Sequence, residues 1–484
     1  MKIHVVGIGG AGMSAIARLL LAEGHEVSGS DDGRWPLADA LVPLGARVAP
    51  RFGAQHVEGA QVVLRSSAYG EDNVEVAAAL AAGTLVWRRH EAWAHLARGK
   101  RVLAVAGTHG KTTTTAMAWS ALRATGIDAS LVCGAVLRDL GANAHAGASD
   151  VLVIEADEYD CTFLALSPAV AIVTNVEHDH VDQFPTQESY AEAFCAFAAR
   201  ARELVACADD PGAAAMAARC ASVVPEAASI VMPTTAASGA SGGGRGAATT
   251  ARTMYGTGSR YGTRSLGRSA VDAAIRDVRV EGWGSRFTLA VGGTAVEVRT
   301  AVPGAHNVLN ATAALVGAWR LGAPLEAAAA GVGSFSGTSR RLERLGTAAG
   351  VTVVDDYAHH PTEIRAALAA LRERAAGGRL VALFQPHTPS RLAAFGDAFA
   401  EALRGADLAF VGRTFPSARE RDDDGAGARA LAARAGAAYA GDPDEAARAL
   451  AGAVRPGDVV AVMGAGDIRR AGERLLALLG GATA

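Results

Sequence analysis

The sequence has few cysteines, and their spacing excludes the sites that cysteine-rich proteins build. Five cysteines occur in 484 residues, and no two of them form a Cys-x-x-Cys pair. An odd number without such pairs argues against a disulfide framework and against a zinc site made of thiolates. We interpret them as reduced thiols that pack as small hydrophobic side chains, which is typical of a cytoplasmic protein.

Long apolar runs and a surplus of one charge are also missing. No apolar stretch approaches the ~20 residues that a membrane helix needs, and the N-terminus lacks the pattern of a secretory signal. Lys and Arg number 46 and Asp and Glu 49, so the formal net charge is −3. Nucleic-acid-binding domains usually carry a basic surplus. The sequence therefore predicts a soluble, cytoplasmic protein without membrane or nucleic-acid partners.

The composition and length indicate a globular chain of several domains. Hydrophobic residues make up 50%, charged residues 20% and aromatic residues 5%. At about 150 residues per domain, the length predicts roughly three domains. Short apolar runs alternate with helical stretches, which is typical of parallel α/β sheets. We predict α/β domains at residues 1–99, 100–336 and 337–484.

The pattern of apolar residues also locates individual elements. A helix is expected at 13–22, and strands are expected at 3–6, 26–28, 61–64, 102–106, 150–155, 169–174, 285–289, 295–300, 351–355, 380–384, 408–411 and 459–463. Residues 235–253 consist only of Ala, Gly, Ser, Thr and Arg. Such a segment cannot bury enough apolar surface to offset its ordering entropy, so it is predicted to be a flexible surface insertion within the second domain.

A glycine-rich turn at residues 7–12 (Gly-Ile-Gly-Gly-Ala-Gly) follows the first predicted strand and precedes a helix. Glycines there let the backbone approach a diphosphate, whose charge is favoured at a helix N-terminus. Asp31 follows at the distance at which a Rossmann site places its ribose-binding acid. The turn indicates a diphosphate-bearing nucleotide, with a nicotinamide cofactor as the default and a purely structural turn as the alternative.

A second turn, Gly-Thr-His-Gly-Lys-Thr-Thr at residues 107–113, also joins a strand to a helix. Gly-Lys-Thr is the end of a phosphate-binding loop, in which Lys111 reaches the β- and γ-phosphates and the Thr112 hydroxyl coordinates Mg²⁺. The general motif would have glycine where Val105 stands. A dehydrogenase needs no ATP loop and a simple ATPase needs no Rossmann turn, so the two turns together suggest a nucleotide-carried substrate and ATP.

Acidic and histidine side chains follow two of the predicted strands. Residues 155–160 read Glu-Ala-Asp-Glu-Tyr-Asp, and residues 175–180 read Asn-Val-Glu-His-Asp-His. Open α/β sheets bind ligands at the carboxyl ends of their strands. Glu155 and His180 are therefore candidate ligands for Mg²⁺, or for Mn²⁺ in its place; a solvated acidic loop is the alternative.

The remaining candidates lie further along the chain. Asn307 and Asn310 would share a helix face and could bind adenine or ribose, although Asn307 alone is more typical of a helix N-cap. Arg340 and Arg341 could bind phosphate or be a solvated basic pair. Two motifs at strand ends, 355–361 and 384–391, contain further histidines.

Taken together, these motifs resemble the Mur ligases. The resemblance is carried by Gly-Ile-Gly-Gly-Ala-Gly-Met-Ser at 7–14, the turn at 107–113, Glu-Ala-Asp-Glu at 155–158, Asp-Asp-Tyr-Ala-His-His-Pro-Thr-Glu at 355–363, Gln-Pro-His at 385–387 and Met-Gly-Ala-Gly-Asp-Ile at 463–468. It covers the chain except for residues 235–253. It implies an N-terminal Rossmann-like domain for a UDP-sugar, a central P-loop ATPase-type domain and a C-terminal Rossmann-like domain for the amino acid.

The resemblance also assigns roles to residues. It implies that the UDP-sugar is bound by Gly9, Gly10, Ala11, Gly12, Ser30, Asp31, Ser66 and Ser67. It implies that ATP is bound by Gly107, Thr108, His109, Gly110, Lys111, Thr112, Thr113, His306, Asn307, Asn310 and Arg341. The implied metal ligands are Thr112, Glu155 and His180, and the implied catalytic residues are Lys111, His359, His387 and Arg391. The first glycine turn would then hold UDP and not a nicotinamide cofactor.

The activity implied by the resemblance is ATP-dependent ligation in peptidoglycan precursor synthesis. The motifs at 9–12 and 385–387 fit best the branch that adds L-alanine to the carboxylate of UDP-N-acetylmuramate through an acyl phosphate. Tyr159 instead resembles the branch that recycles a murein tripeptide onto the same sugar. A UDP-sugar-binding paralogue without catalysis and a nicotinamide oxidoreductase are further alternatives. We expect a monomer or weak homodimer.

Overall fold

Three β-sheets follow one another along the chain, and each arises where short apolar runs alternate with helices. The computed structural model describes residues 1–181, 183–222, 251–257, 272–375, 377–416, 420 and 424–481. The N-terminal, central and C-terminal regions are named here after the sheet that each one carries.

The N-terminal region (residues 2–96) forms a parallel sheet of five strands. Its elements are β1 (Lys2–Val6), α1 (Ala11–Ala22), β2 (Glu26–Ser30), α2 (Pro36–Asp39), β3 (Arg47–Ala49), β4 (Val62–Arg65), α3 (Val74–Ala81), β5 (Leu85–Arg88) and α4 (Arg89–Leu96). The strand order is β3-β2-β1-β4-β5 and every pair is parallel. Short 3-10 turns lie at Val42–Leu44 and Ala54–Val57.

The central region (residues 101–334) carries a mixed sheet of ten strands. Its elements are β6 (Arg101–Ala106), α5 (Lys111–Ala124), β7 (Ser130–Leu137), β8 (Ala142–His145), β9 (Val151–Glu155), a 3-10 segment (Tyr159–Ala165), β10 (Val170–Val173), α6 (Gln187–Ala198), β11 (Glu203–Cys207), α7 (Pro211–Ser222), β12 (Ala251–Gly256), β13 (Ala273–Glu281), β14 (Gly284–Val291), β15 (Thr294–Thr300), α8 (Ala305–Arg320) and α9 (Leu325–Ser334). The order is β15-β14-β13-β12-β11-β10-β6-β9-β7-β8, antiparallel only at the two ends.

The end of the predicted insertion needs correction. Residues 251–253 open β12, which pairs in parallel with β11, and the side chain of Thr253 is buried. The polar side chain of Thr253 can be buried in this strand because its hydroxyl accepts a hydrogen bond from the guanidinium of Arg320. The remainder of the predicted insertion, 235–250, lies outside the described residues.

The C-terminal region (residues 343–481) forms a six-stranded sheet covered by helices. Its elements are β16 (Glu343–Ala348), β17 (Val351–Asp356), α10 (Pro361–Arg372), β18 (Leu380–Phe384), α11 (Pro389–Leu403), β19 (Leu408–Gly412), α12 (Ala426–Ala435), β20 (Ala438–Gly441), α13 (Pro443–Ala453), β21 (Val459–Met463) and α14 (Arg469–Gly481). The order is β16-β17-β21-β18-β19-β20. The predicted strands are parallel, and β16 adds an antiparallel edge.

The apolar cores show how the three regions are joined. One continuous core extends from Ile3 in β1 to Phe335 after α9, so the N-terminal and central regions share it. Two further cores cover the two faces of the C-terminal sheet, because successive side chains of its strands point to opposite faces. Among the described helices, none combines the length and the apolar character that crossing a bilayer requires.

The topology brings several candidate residues to one edge of the central sheet. Strands β10, β6 and β9 are parallel neighbours. Their carboxyl ends therefore lie side by side, and each end runs directly into one of the motifs at 107–113, 155–160 and 175–180. This edge is where open α/β sheets bind ligands.

Candidate active site

The loop between β6 and α5 has a backbone that requires glycine at two positions. Gly107 has φ +136°, and a Cβ there would lie 2.0 Å from Oγ1 of Thr174. Gly110 has φ +80° and precedes the first turn of α5, and a Cβ there would lie 2.6 Å from Oδ1 of Asn310. The loop thus fits closely against β10 and α8, with the N-terminus of a 14-residue helix at its end.

Side chains at the end of β10 fix the middle of this loop. Asn175 accepts a hydrogen bond from the backbone N–H of His109 at 2.7 Å and donates to its carbonyl at 3.0 Å. The Thr174 hydroxyl donates to the same carbonyl at 2.6 Å. The Thr108 hydroxyl donates to the carbonyl of Glu177 at 2.8 Å. A loop held in this way is preorganised for phosphate.

Lys111, the predicted phosphate-binding lysine, is ion-paired with Glu158. The Nζ atom lies 2.9 Å from Oε2 and 3.1 Å from Oε1 of Glu158, and it also donates to the carbonyl of Gly107 at 2.6 Å. Burial would lower the pKa of Lys111, but the facing carboxylates, Glu158 first, outweigh it and raise that pKa. Lys111 is therefore a fixed cation at the phosphate loop.

Thr112 and Glu155, two of the predicted metal ligands, are hydrogen-bonded to each other. The Thr112 hydroxyl donates to Oε1 of Glu155 at 3.0 Å, and the N–H of Gly134 donates to Oε2 at 2.6 Å. Burial raises the pKa of Glu155 despite the nearby Lys111. A half-buried carboxylate beside a hydroxyl at a helix N-terminus suits Mg²⁺, because oxygen donors are the ligands that this ion prefers.

His180, the third predicted metal ligand, is held by Glu158, the carboxylate that also pairs with Lys111. Its Nε2 lies 3.4 Å from Oε1 of Glu158, and its backbone adopts a left-handed φ of +51°. Glu158 is buried and also accepts from the Tyr190 hydroxyl at 3.1 Å. Burial would raise the pKa of Glu158, but Lys111 and His180 lower it to about 2. Glu158, which the sequence prediction omitted, therefore connects the lysine and the histidine.

A cavity of about 190 Å³ opens at the phosphate loop, and most of the predicted ATP-binding residues line it. It is called the nucleotide cavity below, after this prediction. The predicted residues that line it are His109, Gly110, Thr112, Thr113, His306, Asn307, Asn310 and Arg341. Asn307 and Asn310 share one face of α8, where Asn310 donates to Asn307 at 3.0 Å. The alternative prediction of an N-cap is wrong, since α8 is preceded by Gly304 at that position. Burial lowers the pKa of His306 to about 4, so its imidazole is neutral.

His109 links the phosphate loop to the C-terminal region. Its Nε2 lies 3.0 Å from Oε2 of Glu177, and its Nδ1 lies 3.2 Å from Oε1 of Glu363 in α10. The Thr362 hydroxyl, also in α10, donates to Glu177 at 2.8 Å. Burial would lower the pKa of His109, but Glu177 and Glu363 raise it to about 9. The C-terminal region is thus docked against the nucleotide cavity.

Of the three predicted catalytic residues of the C-terminal region, Arg391 contacts the central region and the two histidines lie together. The rings of His359 and His387 lie 6.1 Å apart, edge to face. Arg391 is 2.9 Å and 3.1 Å from the two carboxylate oxygens of Asp179, which directly precedes His180. Burial is the main cause that lowers the pKa of His359 to about 3 and that of His387 to about 4. Two neutral imidazoles therefore lie near Arg391, whose partner Asp179 directly precedes the candidate metal ligand His180.

The N-terminal glycine turn is organised by Asp31. The N–H of Gly9 donates to Oδ2 of Asp31 at 2.8 Å, and the Tyr69 hydroxyl donates to Oδ1 at 3.0 Å. The indole of Trp35 covers Gly9, where a Cβ would lie 2.4 Å from the ring. Asp31 is buried and positions the turn, while its predicted contact with a nucleotide remains a prediction.

The predicted serines have different surroundings. The Ser30 hydroxyl is buried and donates to Glu75 in α3, so it belongs to a polar network below the turn. Ser66 follows β4, and its hydroxyl accepts from the N–H of Ala68 at 3.3 Å. Ser67 lines a cavity of about 200 Å³ between the N-terminal and central regions.

This second cavity contains arginines that the sequence prediction missed. Arg65, Arg88 and Arg89 line it together with Ser67, His90, Asp160 and Thr162. Nη1 of Arg89 lies 3.0 Å from Asp157, and a Cβ on Gly12 would lie 3.7 Å from the same atom. The guanidinium therefore lies between the start of α1 and the acidic loop after β9. The adjacent arginines at 88 and 89 were the only signal in the sequence.

Three family models match consecutive parts of the chain. The model described as Mur ligase family, catalytic domain, matches residues 2–101, and the Mur ligase middle domain matches 105–230. The model described as Mur ligase, glutamate ligase domain, matches residues 340–466.

Named relatives and solved structures match over nearly the full length. A UDP-N-acetylmuramate–L-alanine ligase of Chloroflexus aggregans is 42% identical over 98% of both chains. The crystal structure of UDP-N-acetylmuramate-alanine ligase MurC from Thermotoga maritima covers 100% of both chains with a TM-score of 0.79 and 25% identity. A murein peptide ligase from Psychrobacter arcticus covers 100% of both chains with a TM-score of 0.71 and 23% identity, which shows a shared fold.

Proposed function

The chain belongs to the Mur ligase family, and from this membership and the site geometry we propose that it ligates L-alanine to the carboxylate of UDP-N-acetylmuramate. The reaction is ATP-dependent and ADP-forming, and it supplies a peptidoglycan precursor. The observation that carries the reaction class is the convergence of Lys111, the nucleotide cavity and Arg391 at one edge of the central sheet. The choice of alanine rests on the full-length relatives that bear this name.

We propose that each of three domains binds a different substrate. Residues 1–99 bind the UDP moiety at the glycine turn, residues 100–336 bind ATP, and residues 337–484 bind the amino acid. The arginine-lined cavity between the first two regions supports this division, because an anionic sugar nucleotide must extend from the glycine turn toward the γ-phosphate. We also propose a cytoplasmic monomer or weak homodimer that acts on small molecules and binds neither nucleic acid nor membranes.

In the first chemical step, two negatively charged groups, the muramate carboxylate and the γ-phosphate, must come into contact. The muramate carboxylate attacks the γ-phosphate, an acyl phosphate forms and ADP leaves. Lys111 neutralises phosphate charge at the loop, and Arg341 adds a second cation to the cavity wall. Thr112, Glu155 and His180 would hold Mg²⁺ or Mn²⁺, which supplies further charge neutralisation to the triphosphate.

The second step joins the amine to the activated carboxyl group. The neutral amine of alanine attacks the acyl carbon, and phosphate leaves after a tetrahedral intermediate. Arg391 is suited to the alanine carboxylate, since a guanidinium binds carboxylates through two parallel hydrogen bonds. The neutral imidazoles of His359 and His387 can accept hydrogen bonds from the amino group. Docking of the C-terminal region excludes water that would hydrolyse the acyl phosphate.

The deciding experiment measures ATP-dependent phosphate release from the purified protein with UDP-N-acetylmuramate. It is run separately with L-alanine, glycine, L-serine and the murein tripeptide. We expect turnover with L-alanine well above that with the other three. Turnover with the tripeptide alone would assign the protein to the recycling branch, and no turnover with any of them would favour a non-catalytic UDP-sugar-binding paralogue.

A further inference from the structure

Two histidines and a glutamate meet where the central and C-terminal regions touch. His109 comes from the phosphate loop, Glu177 from the loop after β10 and His360 from the residue that precedes α10. Oε2 of Glu177 lies 3.0 Å from Nε2 of His109 and 3.9 Å from Nδ1 of His360. One potential ligand atom from each of the three side chains lies within 4.8 Å of the others. Small side-chain movements, together with release of the proton that Glu177 and Glu363 hold on His109, would place all three around a single ion.

Two of the three candidate ligands, His109 and Glu177, are each hydrogen-bonded to a further side chain, here called the outer partner. Metal ligands in proteins commonly have such a partner. Nδ1 of His109, the nitrogen that faces away from Glu177, lies 3.2 Å from the carboxylate of Glu363. The second oxygen of Glu177 accepts from the Thr362 hydroxyl at 2.8 Å. A carboxylate on the far nitrogen of a histidine fixes its tautomer and ring orientation for a metal.

The third candidate, His360, has unused hydrogen-bonding capacity. Its side chain is 4% exposed, and its ring lies 4.8 Å from the ring of His109. Nδ1 accepts only a long hydrogen bond of 3.3 Å from the N–H of Thr362. Nε2 has no hydrogen-bond partner among the described residues. Because its only hydrogen bond is long, Nδ1 can exchange the N–H of Thr362 for a metal ion while Nε2 carries the ring proton.

We propose that His109, Glu177 and His360 form a binding site for a divalent transition-metal ion of the Zn²⁺ class. Two imidazole nitrogens and one carboxylate oxygen are the ligand types that select such an ion over Mg²⁺. A fourth position is open to a cavity of about 540 Å³ that Glu177 and His360 line. The site shares no residue with Thr112, Glu155 and His180, and it does not depend on which amino acid the protein ligates.

The bound ion links two regions of the chain. His109 and Glu177 belong to the central region, and His360 belongs to the C-terminal region. An ion held by all three therefore fixes the C-terminal region against the nucleotide cavity, which His109 and Glu177 also line. We expect Zn²⁺ to stabilise the docked arrangement and to slow the exchange of nucleotide.

The test is calorimetric titration of the purified full-length chain with Zn²⁺. A second titration uses Co²⁺, whose binding is measured by its visible absorption bands. A second cluster, Glu23, His25 and His95, could also hold an ion, so the titrations use a His95→Gln background. The titrations contain excess Mg²⁺ to occupy Thr112, Glu155 and His180, so we expect one Zn²⁺ site in this background. Because even outer partners of metal ligands contribute about 10- to 100-fold in affinity, loss of the ligand in His360→Gln should weaken binding by at least about 100-fold and abolish the Co²⁺ bands.

Two further variants keep the result interpretable. Thr362→Ala removes only an outer partner and should weaken Zn²⁺ by about 10-fold. Glu177→Gln, at a side chain that is 39% exposed, replaces His360→Gln if that variant does not fold. Equal Zn²⁺ affinity in the His95→Gln background with and without His360→Gln or Glu177→Gln would overturn the proposal. Binding that disappears with His95→Gln alone would also overturn it.

Discussion

At the scale of single residues, the site depends on buried charges that are paired across the chain. Lys111 and Glu158 neutralise each other below the phosphate loop, and Arg391 and Asp179 do so at the C-terminal side. Removing one partner of a buried pair leaves an uncompensated charge, which costs about 3–5 kcal/mol. Variants at these positions therefore change both chemistry and stability, and experiments must separate the two.

Substitution Lys111→Ala should strongly slow formation of the acyl phosphate while leaving binding of UDP-N-acetylmuramate almost unchanged. Loss of one group that stabilises transferred charge typically lowers the rate by about 10²- to 10³-fold. The sugar nucleotide is expected to bind at the other end of the arginine cavity, away from the lysine. Phosphate release and calorimetric binding of the sugar nucleotide measure the two effects.

The companion variant Lys111→Ala/Glu158→Gln removes the lone buried carboxylate and serves as the stability control. It should regain thermal stability relative to Lys111→Ala without regaining activity. A loss of sugar-nucleotide affinity in both variants would contradict separate binding sites.

Glu75 should make the N-terminal region sensitive to acid. Burial would raise its pKa, but hydrogen bonds from His4, Ser30, the N–H of Gly53 and His56 lower it to about 2. A pKa that is lower in the folded state stabilises the fold above the unfolded value, near 4.5, and this contribution is lost as pH falls toward 2. The wild type should therefore melt at a higher temperature than Glu75→Gln, with the largest Tm difference above pH 5. The difference should shrink as the pH falls toward about 3. A difference that grows on acidification would refute this assignment.

The sequence predicted many site residues but not the side chains that hold them. Gly-Lys-Thr and the acidic motifs are local patterns, so they can be read from adjacent positions. The partners are distant in sequence: His109 and Glu363 are 254 residues apart, and Arg391 and Asp179 are 212 apart. Both acids lie in motifs that the sequence shows, but without the fold nothing indicates which distant residue each of them pairs with.

At the scale of elements, the phosphate loop shows that glycine lets the backbone pack closely against neighbouring residues. Gly107 and Gly126 both have positive φ, but only Gly107 has atoms of other residues near its missing Cβ. Gly126→Ala should cost about 1–2 kcal/mol for the left-handed backbone alone. Gly107→Ala adds a clash with Thr174 and should lower both Tm and ATP affinity further. Equal effects of the two substitutions would show that close packing at Gly107 is unimportant.

The boundary of β12 gives a second prediction for an element. A chain that lacks 235–253 loses the first half of this strand, whereas a chain that lacks 235–250 keeps it. Because Thr253 is buried and bonded to Arg320, we expect the larger deletion to melt at a clearly lower temperature. Differential scanning calorimetry of both deletions tests this, and identical Tm values would show that residues 251–253 add nothing to the sheet.

Strands with a continuous apolar run were the easiest to predict, and the charged edge strand β16 was not predicted. Val459–Met463 and Leu380–Phe384 are buried throughout, so hydrophobicity alone identifies them. The edge strand Glu343–Ala348 contains charged and small residues, since most of its side chains are partly exposed. Its antiparallel direction depends on the tight turn into β17, which the apolar pattern does not record.

At the scale of the whole molecule, function depends on how the three regions meet. The N-terminal and central regions share one apolar core, so their contact is built into the fold. The C-terminal region has separate cores and touches the nucleotide cavity through polar contacts such as Thr362 with Glu177. Polar interfaces between regions separate at lower cost than a shared core. The C-terminal region is therefore the one expected to move during turnover.

Arg89 tests the contact between the first two regions. Its guanidinium lies between Gly12 at the start of α1 and Asp157 after β9, where the diphosphate and muramate of the substrate would pass. A hydrogen bond to a charged group contributes about 1.5–3 kcal/mol, so Arg89→Ala should raise KM for UDP-N-acetylmuramate by about 10- to 100-fold. KM for ATP should change little because Arg89 does not line the nucleotide cavity. Arg98→Ala, at an exposed arginine just beyond the same helix, is the matched control and should leave both KM values unaltered. Arg89→Lys keeps the charge but loses the forked geometry, so an intermediate KM is expected. A rise in KM for ATP alone would place this arginine in a nucleotide site and reverse the proposed path of the substrate between the regions.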